Sequence, residues 1–351
     1  WGKQNWFENQ KKEHTAVRQN IGIFDMSSFG KIRVDGEGAL NFLQEICTAQ
    51  INIQIGRIVY TQMLNEKGGI ESDLTISRLG EKSFLLVVPC ATLQRDLSYL
   101  NRKNNSKEVM IIDISSSEGV LSIMGPNSRK LLECVSPNNF SNSAHPFGTW
   151  KNIEIGSGLA RAHRVSYVGE LGWEIYISSD QCAHVFEEIW KFQKEMKFNL
   201  CGIHALDSCR IEKAYRHFGH DITDEDHIVD AGLSFTADLS KKRFEGKESI
   251  LNKRKVGSSK KMLQFKLNDP SKMIYHNEPV LRDNKIVGYL TSGNFGHTLG
   301  GCIGLGYVDS KNLSNEEILS FDYSIDVAGE IVTAEASLKP MYDPQSERVR
   351  M

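Results

Sequence analysis

Apolar positions recur at two periods along this chain, every second residue in some stretches and every third or fourth in others. Each change of period marks an element boundary. Residues 31–35 (KIRVD) alternate as a strand, Gly36-Glu37-Gly38 supplies a turn, and 39–46 carry the spacing of an amphipathic helix. Strands are predicted over 58–64, 74–79 and 84–88, and a helix over 92–100. From Gly119 the same order returns: a strand at 120–124, a turn at Gly125-Pro126 and a helix at 128–135. The repetition predicts two related α+β subdomains.

Residues 159–167 and 173–177 read as a strand pair around a glycine-containing turn at 169–172. Ser179 and Asp180 offer a cap for a helix over 181–196, whose apolar positions Cys182, Val185, Phe186, Ile189, Trp190 and Met196 share one face. A further helix covers 204–214. The polar, basic run at 252–261 reads as a linker. Beyond it, short alternating stretches recur at 262–267, 279–282, 285–291, 302–308 and 331–336, with Asp283-Asn284 as a hairpin turn. The expected class is therefore α+β, with a module of two α/β subdomains over 1–255 and a small C-terminal β-barrel over 262–351.

Composition narrows the function. A chain of 351 residues suits two or three packed domains, and 40% apolar residues suffice for their cores. The net charge of −2 and the lack of a long basic stripe argue against nucleic acid as a partner. A small anionic ligand needs only one or two local cations. Seven widely spaced cysteines with no C-x-x-C read as reduced core thiols of an intracellular protein. No apolar run approaches the ~18 residues of a membrane span, and no signal peptide is visible. No membrane association is expected, and the compartment expected is a bacterial cytoplasm or a mitochondrial matrix. The chain starts at Trp1 rather than Met, which leaves room for an upstream targeting segment or partner domain.

Four segments carry candidate chemistry. In 60–73 (YTQMLNEKGGIESD), a strand enters a Gly68-Gly69 turn and another leaves it, placing Asp73 at the start of an apolar stretch. An acid there sits either in a partly dry pocket, tuned for proton transfer, or on an exposed strand edge. In 167–174 (YVGELGWE), Tyr167 and Glu174 flank a tight crossing and either line a cleft or decorate an ordinary hairpin. In 210–221 (RIEKAYRHFGHD), His217 and His220 lie three apart, but Gly219 interrupts the helix and nothing completes a ligand set, so no metal is expected. Arg210, Glu212, Lys213 and Arg216 there read as an ion-pair cluster or an anchor for a ligand carboxylate. In 291–306, glycines are too dense for a plain strand and suggest a loop whose backbone closely approaches something, such as a neighbouring domain. Gly36-x-Gly38 follows a strand and opens a helix, but Asn41 replaces the third glycine of a dinucleotide fingerprint, so no Rossmann site is expected.

In this order the segments resemble the aminomethyltransferase (glycine cleavage T-protein) family. The matches are AVRQNIGIFDMSSFGKIRV (16–34), LNEKGGIESDL (64–74), IMGPNSRKLL (123–132), YVGELGWEI (167–175), DAGLSF (230–235), FEGKESIL (244–251) and TSGNFGHTLG (291–300). Within the family, FDMSSFGK, GRIVYTQMLNEKGGIESDL and ALDSCRIEKAYRHFGHDI look most like the folate-binding half of dimethylglycine and sarcosine dehydrogenases. The opening WGKQNWFE looks like the junction where a flavin domain hands over to that half, and no FAD site is expected in this chain.

The resemblance implies a three-domain cloverleaf and tetrahydrofolate as co-substrate. It implies Asp73 as the catalytic acid, and Tyr60, Leu64, Tyr167, Glu174, Tyr215 and Phe295 as folate contacts. It implies that loop 293–300 closes over the site. The activity implied is transfer of a one-carbon unit from a methylated glycine, such as dimethylglycine or sarcosine, to give 5,10-methylenetetrahydrofolate. The amine oxidation itself would come from a flavin-containing dehydrogenase domain or subunit. Leu206 stands where glycine-cleavage T-proteins carry arginine, Pro89 where they usually carry asparagine, and Asp230 where glutamate is usual. The alternatives are a glycine-cleavage aminomethyltransferase, another folate-dependent demethylase, or a non-catalytic regulatory subunit of the same fold.

Overall fold

Strand Gly30–Asp35 turns into helix Ala39–Ile46 through Gly36, and strand Glu118–Met124 turns into helix Ser128–Val135 through Gly125. Both glycines have positive φ, +123° and +127°. A Cβ would fall 2.0 Å from the Glu108 carbonyl oxygen at Gly36 and 2.3 Å from that of Asn20 at Gly125. Only glycine lets the chain double back this tightly. The computed structural model, which describes residues 2–311 and 313–351, thus contains the repeated strand–turn–helix unit twice, with one corner chemistry.

Each unit builds a sheet. The first is five-stranded, in the order Ile58–Leu64, Ile70–Gly80, Ser83–Val88, Gly30–Asp35, Met110–Asp113. Helices Ala39–Ile46 and Leu93–Lys103 bury their apolar sides on it, through Leu43, Ile46, Tyr99 and Leu100. The second is six-stranded: Asn199–Leu200, Gly22–Asp25, Glu118–Met124, Gly172–Ser178, Gly158–His163, Trp150–Ile155. Its core holds Trp173, Ile175, Leu131, Leu132, Val185 and Ile189. Strand Gly22–Asp25 belongs to this second sheet although it precedes the whole first sheet in sequence. The two units are therefore nested rather than consecutive.

Lys260–Leu267, Gly301–Asp309, Lys285–Gly296, Pro279–Arg282, Tyr323–Val327 and Glu330–Ser337 close into a six-stranded barrel around Phe265, Leu290, Val308 and Ile325. The hairpin at Asp283-Asn284 forms as expected, with both residues at positive φ.

Several expectations need correction. The helix read over 181–196 is broken into Cys182–Trp190 and Gln193–Met196. Its cap is Gln181, because the Asp180 carboxylate is taken by the Ser178 hydroxyl instead. The first half of the run read as a linker at 252–261 is the end of helix Lys247–Val256, and strand Lys260–Leu267 begins after three intervening residues. The strand read at 74–79 extends over Ile70–Gly80. The glycine-dense stretch from 291 is strand as far as Gly296, so only 297–300 turn the chain. Helix Phe7–Gln19 and strand Tyr323–Val327 carry no clear period in the sequence, and the structure adds both.

Candidate functional site

The register of one hairpin creates the site. Ile58–Leu64 pairs antiparallel with Ile70–Gly80 so that Gln62 stands directly opposite Asp73 and Tyr60 opposite Thr75. Opposed residues of an antiparallel pair share a face, and so do residues two apart on one strand. Tyr60, Gln62 and Asp73 therefore converge on one side. The Tyr60 hydroxyl donates to Asp73 Oδ1 at 2.6 Å, and Gln62 Nε2 donates to the same oxygen at 2.7 Å. Thr236 in turn holds Gln62 Oε1 through its hydroxyl. Asp73 Oδ2 has no hydrogen-bond partner among the described residues, and it is not sealed from solvent.

Burial dominates the electrostatics of this carboxyl. The surrounding protein raises its pKa to about 6, against the lowering effect of the Gln62 and Tyr60 hydrogen bonds and of the Arg216 charge. No cation lies within ion-pair distance of it among the described residues. Burial and the adjacent carboxylate also push the Tyr60 hydroxyl far above its ordinary value, so it remains a donor.

Around this centre, Leu64 is fully buried against Ile70, Phe218 and Ile228 and forms part of the floor under the hairpin. Phe235, 76% exposed, places its ring 6.5 Å from that of Tyr60. An aromatic left in water beside a polar pocket is a natural cover for a flat ligand ring. Tyr167 stacks on Tyr215 at 6.0 Å between ring centroids, and its hydroxyl donates to the Arg216 carbonyl oxygen at 2.8 Å. The Tyr215 hydroxyl is raised by burial to about 12.

Tyr60, Asp73 and Arg216 lie close enough to influence one another's proton affinity, and Tyr167 lies close enough to influence Tyr60 and Asp73. Glu174 stands apart on the second sheet. It is buried, it accepts a bond from Tyr176 at 2.8 Å, and burial raises its pKa to about 7. Tyr176 leans on the ring of His163, and His163 Nδ1 lies 3.4 Å from Ser77 Oγ, on the strand of Asp73. Phe295 packs on Phe7 and His297, and the Ser208 hydroxyl donates to its carbonyl oxygen. None of its hydrogen bonds or ring contacts reaches the Asp73 group. The turn after it, at Thr298 and Leu299, donates to Glu212 and sits on helix Phe7–Gln19 rather than over Asp73.

The sequence reading did not single out Gln62, Phe235 or Thr236. Gln62 had a usable signal, since two residues separate it from Tyr60 in a strand pattern. Phe235 and Thr236 arrive from a turn distant in sequence, and no local period marks them. His217 and His220 face each other at 4.7 Å, and no group of metal ligands occurs among the described residues. Two surface concavities of ≈300 and ≈480 Å³, lined by residues such as Trp190 and Leu200 in one and Phe42 and Arg243 in the other, share no residue with the Asp73 group. Size alone does not locate the chemistry.

Comparison with known proteins gives a consistent picture. Residues 1–241 match the GCVT N-terminal domain, and 260–343 match the glycine cleavage T-protein C-terminal barrel domain. The chain is 38% identical over its full length to 42% of 4-methylaminobutanoate oxidase (formaldehyde-forming) of Paenarthrobacter nicotinovorans. It is 33% identical over 97% of its length to mitochondrial sarcosine dehydrogenase of Homo sapiens, of which it spans 39%. It is also 33% identical over 95% of its length to an aminomethyltransferase of Halothermothrix orenii, spanning 92% of that protein. The crystal structure of glycine cleavage system aminomethyltransferase T from Bartonella henselae superposes with a TM-score of 0.84 at 25% identity, covering 95% of this chain and 90% of that one. The chain thus spans about two fifths of the length of the two oxidoreductase relatives. No helix among the described residues is long and apolar enough to cross a membrane.

Proposed function

The chain belongs to the glycine cleavage T-protein family of folate-dependent aminomethyltransferases, and on that premise we propose that it moves a one-carbon unit from a methylated glycine, such as dimethylglycine or sarcosine, to tetrahydrofolate. The observation that carries this reading is Asp73: an enclosed carboxyl with one oxygen fixed by Tyr60 and Gln62, the other free, and no ion pair to hold it charged. With a pKa of about 6, such a group takes up and releases a proton near neutral pH.

Oxidation of the amine elsewhere gives an iminium, CH2=N⁺R2. A folate ring nitrogen attacks its carbon, forming a C–N bond and losing a proton. The second folate nitrogen then closes on that carbon as the C–N bond to the amine breaks, and it loses a proton too. The amine leaves as R2NH2⁺, so both protons and the single positive charge are conserved. Asp73 Oδ2 is the acceptor through which these protons pass. Tyr60 and Gln62 hold the carboxyl in place, Phe235 covers the ring pocket above the buried Leu64 floor, and Tyr167 and Tyr215 line its approaches, while Glu174 stands too far off to take part. Holding the two nitrogens against the iminium carbon contributes by proximity. Because the oxidoreductase relatives are more than twice as long, a flavin-dependent dehydrogenase, fused or docked, supplies the iminium in this reading.

Calorimetric titration with tetrahydrofolate tests the assignment. Micromolar binding is expected for the wild type. Asp73→Asn is expected to bind within about tenfold of that affinity, because one hydrogen bond is altered rather than lost. No binding by the wild type contradicts the reading.

A further inference from the structure

Of the four charged residues in 210–216, three are neutralised inside the protein. Arg210 pairs with Asp207 at 2.7 Å and with Asp221 at 2.5 Å, Glu212 pairs with Arg18 at 2.9 Å, and Lys213 pairs with Asp343 at 3.3 Å. Arg216 pairs with none of the described carboxylates. Its Nε donates to the Ala231 carbonyl oxygen at 3.0 Å and its Nη1 to that of Ala214, which fixes the plane of the guanidinium. Nη2 donates to nothing among the described residues, and it is not sealed from solvent. The neighbour at Nη2 is Gly232, where a Cβ would stand only 2.9 Å away. A side chain there would cover the nitrogen that the glycine leaves open.

An enclosed guanidinium without a counter-ion is costly unless something supplies the negative charge. Burial works against the Arg216 charge, and the nearby carboxylates that support it are those of Asp221 and Asp73. Arg216 therefore shares the Asp73 site without closing on Asp73. The site presents two unpartnered atoms of opposite charge, Asp73 Oδ2 and Arg216 Nη2, beyond ion-pair distance from each other. Such a pair matches a zwitterion, with the cationic nitrogen toward the carboxylate and the carboxylate toward the guanidinium.

We infer that Arg216 binds the carboxylate of the amine that carries the one-carbon unit, and so restricts the site to amino-acid-type amines. This rests on the folate-dependent reading above and deepens it. The planar fork of arginine, held by two carbonyl oxygens, offers a fixed donor that a lysine does not reproduce. A charge-assisted bond of this kind corresponds to roughly ten- to a hundredfold in affinity.

The test uses the tetrahydrofolate-loaded protein, titrated with N-methylglycine and with N-methylglycinamide, which lacks the carboxylate. The wild type is expected to prefer the acid by at least about tenfold. Arg216→Gln is expected to lose that preference while its tetrahydrofolate affinity stays within about twofold, and Arg216→Lys is expected to fall between. Equal binding of acid and amide by the wild type overturns the inference without reference to any variant. So does an Arg216→Gln protein that loses tetrahydrofolate but keeps the preference, which would assign the guanidinium to a folate carboxylate. A wild type that binds no tetrahydrofolate but still discriminates acid from amide contradicts the folate reading and leaves the carboxylate role standing.

Discussion

Carboxyl groups in this protein show how partners decide proton affinity. Glu212 is as enclosed as any, and burial alone would raise its pKa. His14 and Arg18 overcome that and hold it at about 2. Asp221 is likewise held low, because Arg210 and the hydroxyls of Thr291 and Ser292 outweigh burial. Asp73 and Glu174 lack an ion pair, so burial wins, and they settle at about 6 and about 7. Asp96, which the sequence does not single out, is raised by burial to about 6 as well, so a raised pKa alone does not mark the site. The same imbalance has a stability consequence. A folded-state pKa of about 6 against an ordinary 3.8 means that ionising Asp73 disfavours the folded state. The penalty is full above pH 6 and fades as pH falls toward 4. Asp73→Asn is therefore expected to melt higher than wild type at pH 8, by an amount worth about 1–3 kcal/mol. The gap should narrow steadily toward pH 4. A variant that melts lower than wild type at pH 8 would contradict this balance.

At the scale of elements, the sequence is most legible where hydrophobic period and turn chemistry agree. Strand 58–64, helix 39–46 and helix 128–135 occur with the boundaries their periods predict. The long helix read at 181–196 fails because periodicity reports a shared face and not an unbroken axis. Its apolar face continues across a break at Lys191–Phe192 while the backbone does not. The glycine-dense stretch at 291–306 does bring backbone into close approach, as its composition suggests, but in strands rather than a loop. Its glycines serve barrel strands that pass very close together, as at Gly306, where a Cβ would stand 2.5 Å from the Tyr289 carbonyl oxygen. Tyr60 and Asp73 were readable as a pair, since the turn between them fixes a register. Arg216 was readable only as one of four charges that either pair with one another or anchor a ligand carboxylate, and Phe235 not at all, because only the tertiary fold brings them to the hairpin.

For the molecule as a whole, one buried charge network ties the parts together. Arg18, on helix Phe7–Gln19, donates to Glu212 at 2.9 Å, to the Cys209 carbonyl oxygen at 3.1 Å and to the Val168 carbonyl oxygen at 2.6 Å. Its guanidinium lies 4.1 Å from the ring centre of Tyr342, whose hydroxyl donates to Glu170. Arg348 donates to Glu170 as well. Thr298 and Leu299, at the barrel turn, donate their backbone N–H groups to Glu212. Helix Phe7–Gln19, the Tyr167 loop, the barrel and the C-terminal segment thus meet at two glutamates. Glu212→Gln removes the carboxylate that Arg18 and His14 share and leaves Arg18 only Glu170, at 3.4 Å, and is expected to cost about 3–5 kcal/mol in urea unfolding at pH 7. Glu212 contributes stability that is present above pH 4.5 and is lost as pH falls through about 2. His14 is held at about 9, with Cys209 and Glu212 overcoming the effect of burial. Its contribution is full below pH 6.5 and is lost as pH rises through 9. Unfolding by less than about 1 kcal/mol would mean that the network does not hold the parts together.

A crystal structure of the protein with 5-formyltetrahydrofolate tests whether Asp73 lies against the folate ring. A ring nitrogen is expected within hydrogen-bond distance of Asp73 Oδ2, with the Phe235 ring against the ligand. Ligand found instead in the groove of Phe42 and Arg243, or on the second sheet with Asp73 Oδ2 untouched, would contradict it.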